Sequence, residues 1–186
     1  MGRVVSKVEE LGRVHVIGGM GTGKTWLARR AGRVLGLPVL ELDSGGNLTS
    51  TLSEDRWLTE GIYLWDVERV LDAADTVVWL DLPFRTALRR IVTRHIWLSV
   101  RGQNPHRGLR QLWQFALASG RYWSTAIPRP PRDATDWEAL SRAQTMVVPE
   151  PYGEKVTRLS SRSEVTAWLG SLRRTTRPGG RLNASL

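Results

Sequence analysis

Apolar residues fall into short runs separated by longer stretches of helical spacing. Val14, Val16 and Ile17 form a run that ends at Gly18, and a helical pattern starts with Trp26, Leu27 and Ala28 just after a glycine-rich segment. Gly36 and Pro38 stop that helix, so Val39–Asp43 reads as a second strand. A helix is expected to begin near Ser53, and Trp57–Thr59 reads as a third strand ending at Glu60 and Gly61. Trp65, Val67, Val70 and Leu71 recur at helical spacing ahead of Thr76–Asp81, the strongest strand pattern in the chain, which Leu82 and Pro83 end.

An arginine-rich helix is expected from about Phe84 to Leu98. A loop containing Gly102, Asn104, Pro105 and Gly108 follows, then a helix over Leu109–Ser119. Pro128–Arg132 breaks regularity and reads as an exposed connection, with a short helix across Trp137–Gln144. Lys155–Leu159 reads as a fifth strand. Ser161-Arg162-Ser163-Glu164 is a capping-box pattern that opens a last helix through Leu172, and Arg173 to Leu186 reads as a basic, polar tail. Strands alternating with helices imply a parallel sheet covered on both faces, an α/β sandwich.

With 186 residues and 41% hydrophobic content, the chain can bury one full core, so we expect a single domain over residues 1–172. The absence of cysteine excludes disulfides and thiolate metal sites and agrees with a cytoplasmic location. His15, His95 and His106 are scattered and make no metal cluster. No apolar run is long enough to span a membrane, and the N-terminal residues lack the apolar core of a signal peptide. The net charge of +9 points to phosphate-bearing partners, or equally to a coding bias, since only Lys7, Lys24 and Lys155 are lysines. Weak, non-specific nucleic-acid binding, mainly through the tail, is the contribution expected of that charge.

The segment between the first strand and the first helix carries the chemistry. Gly18-Gly19-Met20-Gly21-Thr22-Gly23-Lys24-Thr25 fits G-x-x-x-x-G-K-[ST], the phosphate-cradling P-loop, in the required order of strand, loop and helix. The glycines let successive backbone N–H groups converge on a phosphate at the positive end of the helix. Lys24 is placed to reach the β- and γ-phosphates, and the Thr25 hydroxyl to hold Mg²⁺. The residues from Gly18 through Trp26 are thus the nucleotide-binding candidates.

Further residues extend this picture. Gly36-Leu37-Pro38-Val39 leading to Leu42-Asp43, Glu60-Gly61-Ile62-Tyr63, Asp72-Ala73-Ala74-Asp75-Thr76 and Leu80-Asp81-Leu82-Pro83 resemble the adenylate-kinase-like P-loop kinases, most closely the branch labelled DNA topology modulation proteins. The resemblance covers roughly Arg13 to Arg101, weakens through the lid and the proline-rich part, and returns at Lys155–Leu169. It implies a five-stranded parallel sheet of nucleoside-monophosphate-kinase type, a lid over about residues 95–125, and binding of ATP with Mg²⁺. It also implies roles for individual residues. Arg90 and Arg94 fall where the family places lid arginines that grip the transferring phosphate, and their spacing puts both on one helical face. Asp43 sits where related kinases bind or activate the acceptor hydroxyl, the alternative being a helix cap or turn Asp. Glu60 stands where the family has Asp for the metal, one methylene longer, with Asp81 as the second candidate.

Most of the nine tryptophans, including Trp57, Trp65, Trp79 and Trp168, fall at core positions of their elements. Trp97 and Trp113 are candidates to stack on a base or an acceptor ring. The composite expectation is an ATP-dependent phosphotransferase with a small-molecule, nucleoside or nucleotide acceptor. The alternative is a nucleotide-regulated DNA-binding or regulatory protein, for which no reader motif is visible.

Overall fold

The computed structural model describes residues 11–42, 48–61, 67–106, 108–133 and 136–175, leaving aside the side chains at 137 and 175. Asp43, Trp65 and the tail beyond 175 lie outside the described residues.

Five strands form one sheet. They are β1 (Arg13–Gly18), β2 (Val39–Glu41), β3 (Trp57–Glu60), β4 (Thr76–Leu80) and β5 (Val156–Leu159), arranged in the order β2-β3-β1-β4-β5. Every pairing is parallel, so all strand C-termini point to one edge. The helices are α1 (Lys24–Leu35), α2 (Leu48–Leu52), α3 (Val67–Ala73), α4 (Phe84–Val100), α5 (Leu109–Ser124), α6 (Arg142–Val147) and α7 (Arg162–Thr175).

Alternation along the central strands sorts the core into two layers. Val14, Val16, Leu58, Val78 and Leu80 face α1 and α7, burying Leu27, Ala28, Ala31, Leu169 and Leu172 with them. Ile17, Trp57, Val77 and Trp79 face the other way and bury Val70 and Leu71 of α3. The expected α/β sandwich with a five-stranded parallel sheet is therefore the fold, and Trp57, Trp79 and Trp168 are buried as anticipated.

Several boundaries differ from expectation. The helix expected to begin near Ser53 instead ends just before it. Leu48 and Leu52, four apart, pack on the second core layer, and the Ser53 hydroxyl donates back to the Thr49 carbonyl at 3.0 Å. The single helix expected over 137–144 is a 3-10 turn at Trp137–Ala139 followed by α6, which starts after Ser141 because the Ser141 hydroxyl accepts the Gln144 N–H at 3.0 Å. β5 begins at Val156, since Lys155 ends a 3-10 segment and its ammonium donates to the Asp72 carbonyl at 3.1 Å. α7 continues to Thr175, so Arg173 and Arg174 close the helix rather than open the tail, a position that suits positive charge at the negative end of the helix dipole. The capping box at its start forms: the Glu164 N–H donates to Ser161 Oγ at 3.2 Å, and the Glu164 carboxylate accepts the Ser160 N–H at 2.7 Å.

α4 and α5 pack against each other as an antiparallel hairpin. Asn104 closes its tip. Its side-chain amide donates to Ser99 Oγ at 2.8 Å, and its Oδ1 accepts the His106 N–H at 2.9 Å.

Candidate active site

β1 delivers the chain to the C-terminal edge of the sheet, where it turns through the glycine-rich loop into α1. Gly21 and Gly23 have φ of 77° and 95°, backbone that an L-side chain rarely adopts, and a Cβ at Gly21 would stand 2.9 Å from the Ala87 carbonyl. These two glycines let the loop curl over the N-terminus of α1, whose first residue is Lys24. Lys24 is buried. The Thr22 hydroxyl donates to the Gly19 carbonyl at 2.8 Å and ties the loop to itself. Met20 and Trp26 are exposed at its rim.

The hydroxyl expected to serve a metal meets the expected carboxylate. Thr25 Oγ1 donates to Glu60 Oε1 at 2.7 Å, because β3 pairs with β1 in a register that brings Glu60 opposite Val16, just short of the loop. Glu60 is itself buried. Asp81 is employed differently. Arg142 donates Nε to its Oδ1 at 2.7 Å and Nη2 to its Oδ2 at 2.8 Å, while Arg158 Nε donates to Oδ2 at 2.9 Å. Burial pushes the Asp81 pKa up, but the hydrogen bonds and charges of the two guanidiniums outweigh it and hold the carboxyl below its ordinary value. Thus Glu60, not Asp81, stands beside Thr25.

Of the two arginines expected at a lid, Arg90 reaches the loop: its Nη1 donates to the Thr22 carbonyl, and a Cβ at Gly23 would lie 2.9 Å from that nitrogen. Arg94 lies one turn further along α4 and is exposed. The two share an open cleft of about 500 Å³ with Arg89, Thr93, Trp97 and Arg162. Four guanidinium groups thus converge without a carboxylate among the lining residues. Burial foremost, then the like charges of Arg162 and Arg89, lower the Arg90 pKa. Such an arrangement suits an anionic ligand.

Two contributions were missed by sequence reasoning. Arg162 belongs to the first turn after β5, and the rule that ligands collect at the C-terminal ends of parallel strands could have flagged it. Tyr122 and Trp123 of α5 lean over the P-loop, where a Cβ at Gly19 would meet Tyr122 Cε1 at 2.6 Å and Trp123 Cη2 at 2.9 Å. The Tyr122 hydroxyl donates to Thr145 Oγ1 at 3.0 Å, which fixes α5 to α6, and burial pushes the phenol up to about 12. No sequence pattern signals that contact. Trp97 joins the cleft as a half-exposed ring with the Arg101 guanidinium 3.9 Å from its centroid, whereas Trp113, 66% exposed, is not among the residues lining it.

His15 lies within the sheet behind the loop. It is fully buried, its Nδ1 is 2.8 Å from Thr59 Oγ1, and its pKa is lowered to about 4, chiefly by burial and further by the charge of Lys24. It is a neutral core residue, closed off from any ligand. Asp43 lies outside the described residues. Among the described residues, no cluster of histidines and carboxylates could hold a metal by itself, and no helix is long and apolar enough to cross a membrane.

No protein-family model and no curated protein matches the sequence. Among solved structures, a gluconokinase from Sinorhizobium meliloti is similar over 90% of this chain and 92% of its own, at 12% identity and a TM-score of 0.47. A sugar kinase from Janibacter covers 89% and 98% at 15% identity with a TM-score of 0.44. A shikimate kinase from Acinetobacter baumannii, in complex with shikimate, covers 88% and 92% at 14% identity with a TM-score of 0.44.

Proposed function

We propose that the protein is an ATP-dependent phosphotransferase acting on a small-molecule or nucleotide acceptor. The observation that carries this reading is the convergence on one sheet edge of the P-loop, the Thr25–Glu60 pair and a cleft with four arginines. A loop that only bound nucleotide would have no use for arginines along the path beyond the γ-phosphate. A transferase needs them, because the phosphoryl group carries its charge on equatorial oxygens while it moves.

The residues divide the work as follows. The loop backbone and the α1 N-terminus bind phosphate oxygens, and Lys24 neutralises the β- and γ-phosphates. Thr25 and Glu60 fit Mg²⁺, a hard cation that takes oxygen ligands: the hydroxyl supplies a direct ligand and the carboxylate orients it. When bound, that ion neutralises charge on the triphosphate. Arg90, anchored on Thr22, is preset at the loop. Arg94 approaches the transferring group from the exposed part of α4, and the α4–α5 hairpin acts as the lid within a single domain. Asp43, beyond β2, receives the acceptor hydroxyl. A cytoplasmic site of action accords with this chemistry and with a cysteine-free chain.

The test is an acceptor screen with γ-labelled ATP and Mg²⁺ that scores label on the acceptor against free phosphate. The panel spans gluconate and other sugar acids, shikimate, nucleosides and nucleoside monophosphates. Transfer exceeding hydrolysis for one chemical class is expected. Hydrolysis alone across the panel would refute the transferase reading.

A further inference from the structure

The α4–α5 hairpin, residues 84–124, holds eight arginines and no aspartate or glutamate, so it carries nearly all of the chain's net charge of +9. Arg89, Arg90 and Arg94 belong to the P-loop cleft. Arg110 and Arg121 do not: both are exposed on α5, and no carboxylate among the described residues lies within salt-bridge distance of either. α5 also exposes Leu109 at 82%, Trp113 at 66% and Leu117 at 48%.

The arrangement of these groups identifies the occupant. Leu109, Trp113, Leu117 and Arg121 stand four residues apart and share one row on α5, with Arg110 beside it. Guanidinium groups therefore flank the apolar row, Arg110 beside its start and Arg121 at its end. A helix that lies on a membrane keeps its charges on the face opposite its apolar stripe. A second copy of the chain would set Arg110 and Arg121 against the same cationic, acid-free face, and such like-charge juxtaposition opposes docking. Single-stranded nucleic acid offers what this face lacks: phosphates for planar guanidiniums and unpaired bases for an exposed indole.

We propose that the exposed face of α5 binds single-stranded nucleic acid, with Trp113 stacking on a base and Arg110 and Arg121 neutralising flanking phosphates. None of the three lines the P-loop cleft, so the inference stands or falls independently of the phosphotransferase reading.

Fluorescence anisotropy of a labelled oligo-dT of roughly 16 nucleotides, with the full chain across a salt series, tests it. Binding should weaken with salt, and the Arg110→Ala/Arg121→Ala double variant should flatten the log–log slope by about 1.4, at about 0.7 for each phosphate that is no longer neutralised. Trp113→Ala should weaken oligo-dT binding at least about fivefold while leaving duplex binding unchanged, because only unpaired bases expose a face to the indole. An unchanged far-ultraviolet circular dichroism spectrum and Tm in each variant confirm that it is folded. Absent binding, or binding indifferent to these substitutions and lost only on removal of Arg177 to Leu186, overturns the proposal. So does binding to phosphatidylglycerol vesicles without oligo-dT binding, or a dimer that Trp113→Ala dissociates.

Discussion

Replacing Arg94 by alanine separates a phosphotransferase from a protein that merely binds nucleotide. Arg90 is fastened to the Thr22 carbonyl and is part of the loop's own structure. Arg94 is exposed, one turn along the same face, and meets the same cleft. In the ground state its removal leaves Arg89, Arg90, Arg162 and Lys24 to hold the nucleotide, and relieves one of four mutually repelling charges, so ATP affinity should fall no more than about threefold. In the transition state charge builds on the phosphoryl oxygens, which Lys24 continues to hold while Arg94 meets them from α4. Loss of one preorganised donor there costs about 2.7–4 kcal/mol, or 10² to 10³ in rate, and the three remaining arginines place the expected effect near the lower end, on the order of 10². The assay is ATP affinity by calorimetry beside single-turnover transfer to the acceptor found by screening. A kcat that falls with little change in ATP binding marks an interaction made mainly in the transition state. Transfer at the wild-type rate would make Arg94 a solvated helix residue and refute the lid assignment.

Three further substitutions address the scaffold. Gly19→Ala places a methyl 2.6 Å from the Tyr122 ring, so it should destabilise the fold by about 1–3 kcal/mol, visible as a lowered Tm; an unchanged Tm would contradict the close packing of α5 on the loop. His15 has a folded pKa of about 4 against an unfolded value of about 6.5, so below the latter only the unfolded chain takes the proton. Stability should be intact above about pH 6.5 and fall by about 2 kcal/mol toward pH 5 in urea titrations, a loss that His15→Leu should lack if the assignment holds. Asp81→Asn removes the charge shared by Arg142 and Arg158; because both arginines are partly exposed, we expect a cost of about 2 kcal/mol, with ATP affinity retained. A matching collapse of ATP affinity would instead place Asp81 in the metal site.

What was legible in the sequence was local. The P-loop shows because its glycines, lysine and threonine are consecutive, and β4 shows because Val77, Val78, Trp79 and Leu80 are buried on both faces and read as an unbroken apolar run. Glu60 could be paired with Thr25 only through the family resemblance, since by bare pattern Asp81, after four apolar residues, is the metal candidate. The contacts that escaped are those between distant segments whose residues carry no motif. Tyr122 over Gly19 depends on how α5 docks, and Arg162 joins Arg94 only once β5 lies beside β4. The helix lies ahead of Ser53 because the Leu48 and Leu52 pair that anchors α2 on the core precedes that residue.

The most direct test of the central claim is single-turnover transfer from γ-labelled ATP by Lys24→Ala, set beside the wild type at saturating nucleotide. Lys24 stands at the start of α1 and belongs to neither apolar core cluster, so circular dichroism and Tm should be kept. Labelled product should form more slowly by a factor on the order of 10² to 10³, as loss of one preorganised charge predicts. ATP-dependent transfer at the wild-type rate in a folded Lys24→Ala protein would contradict the assignment of this loop as the site of phosphoryl transfer.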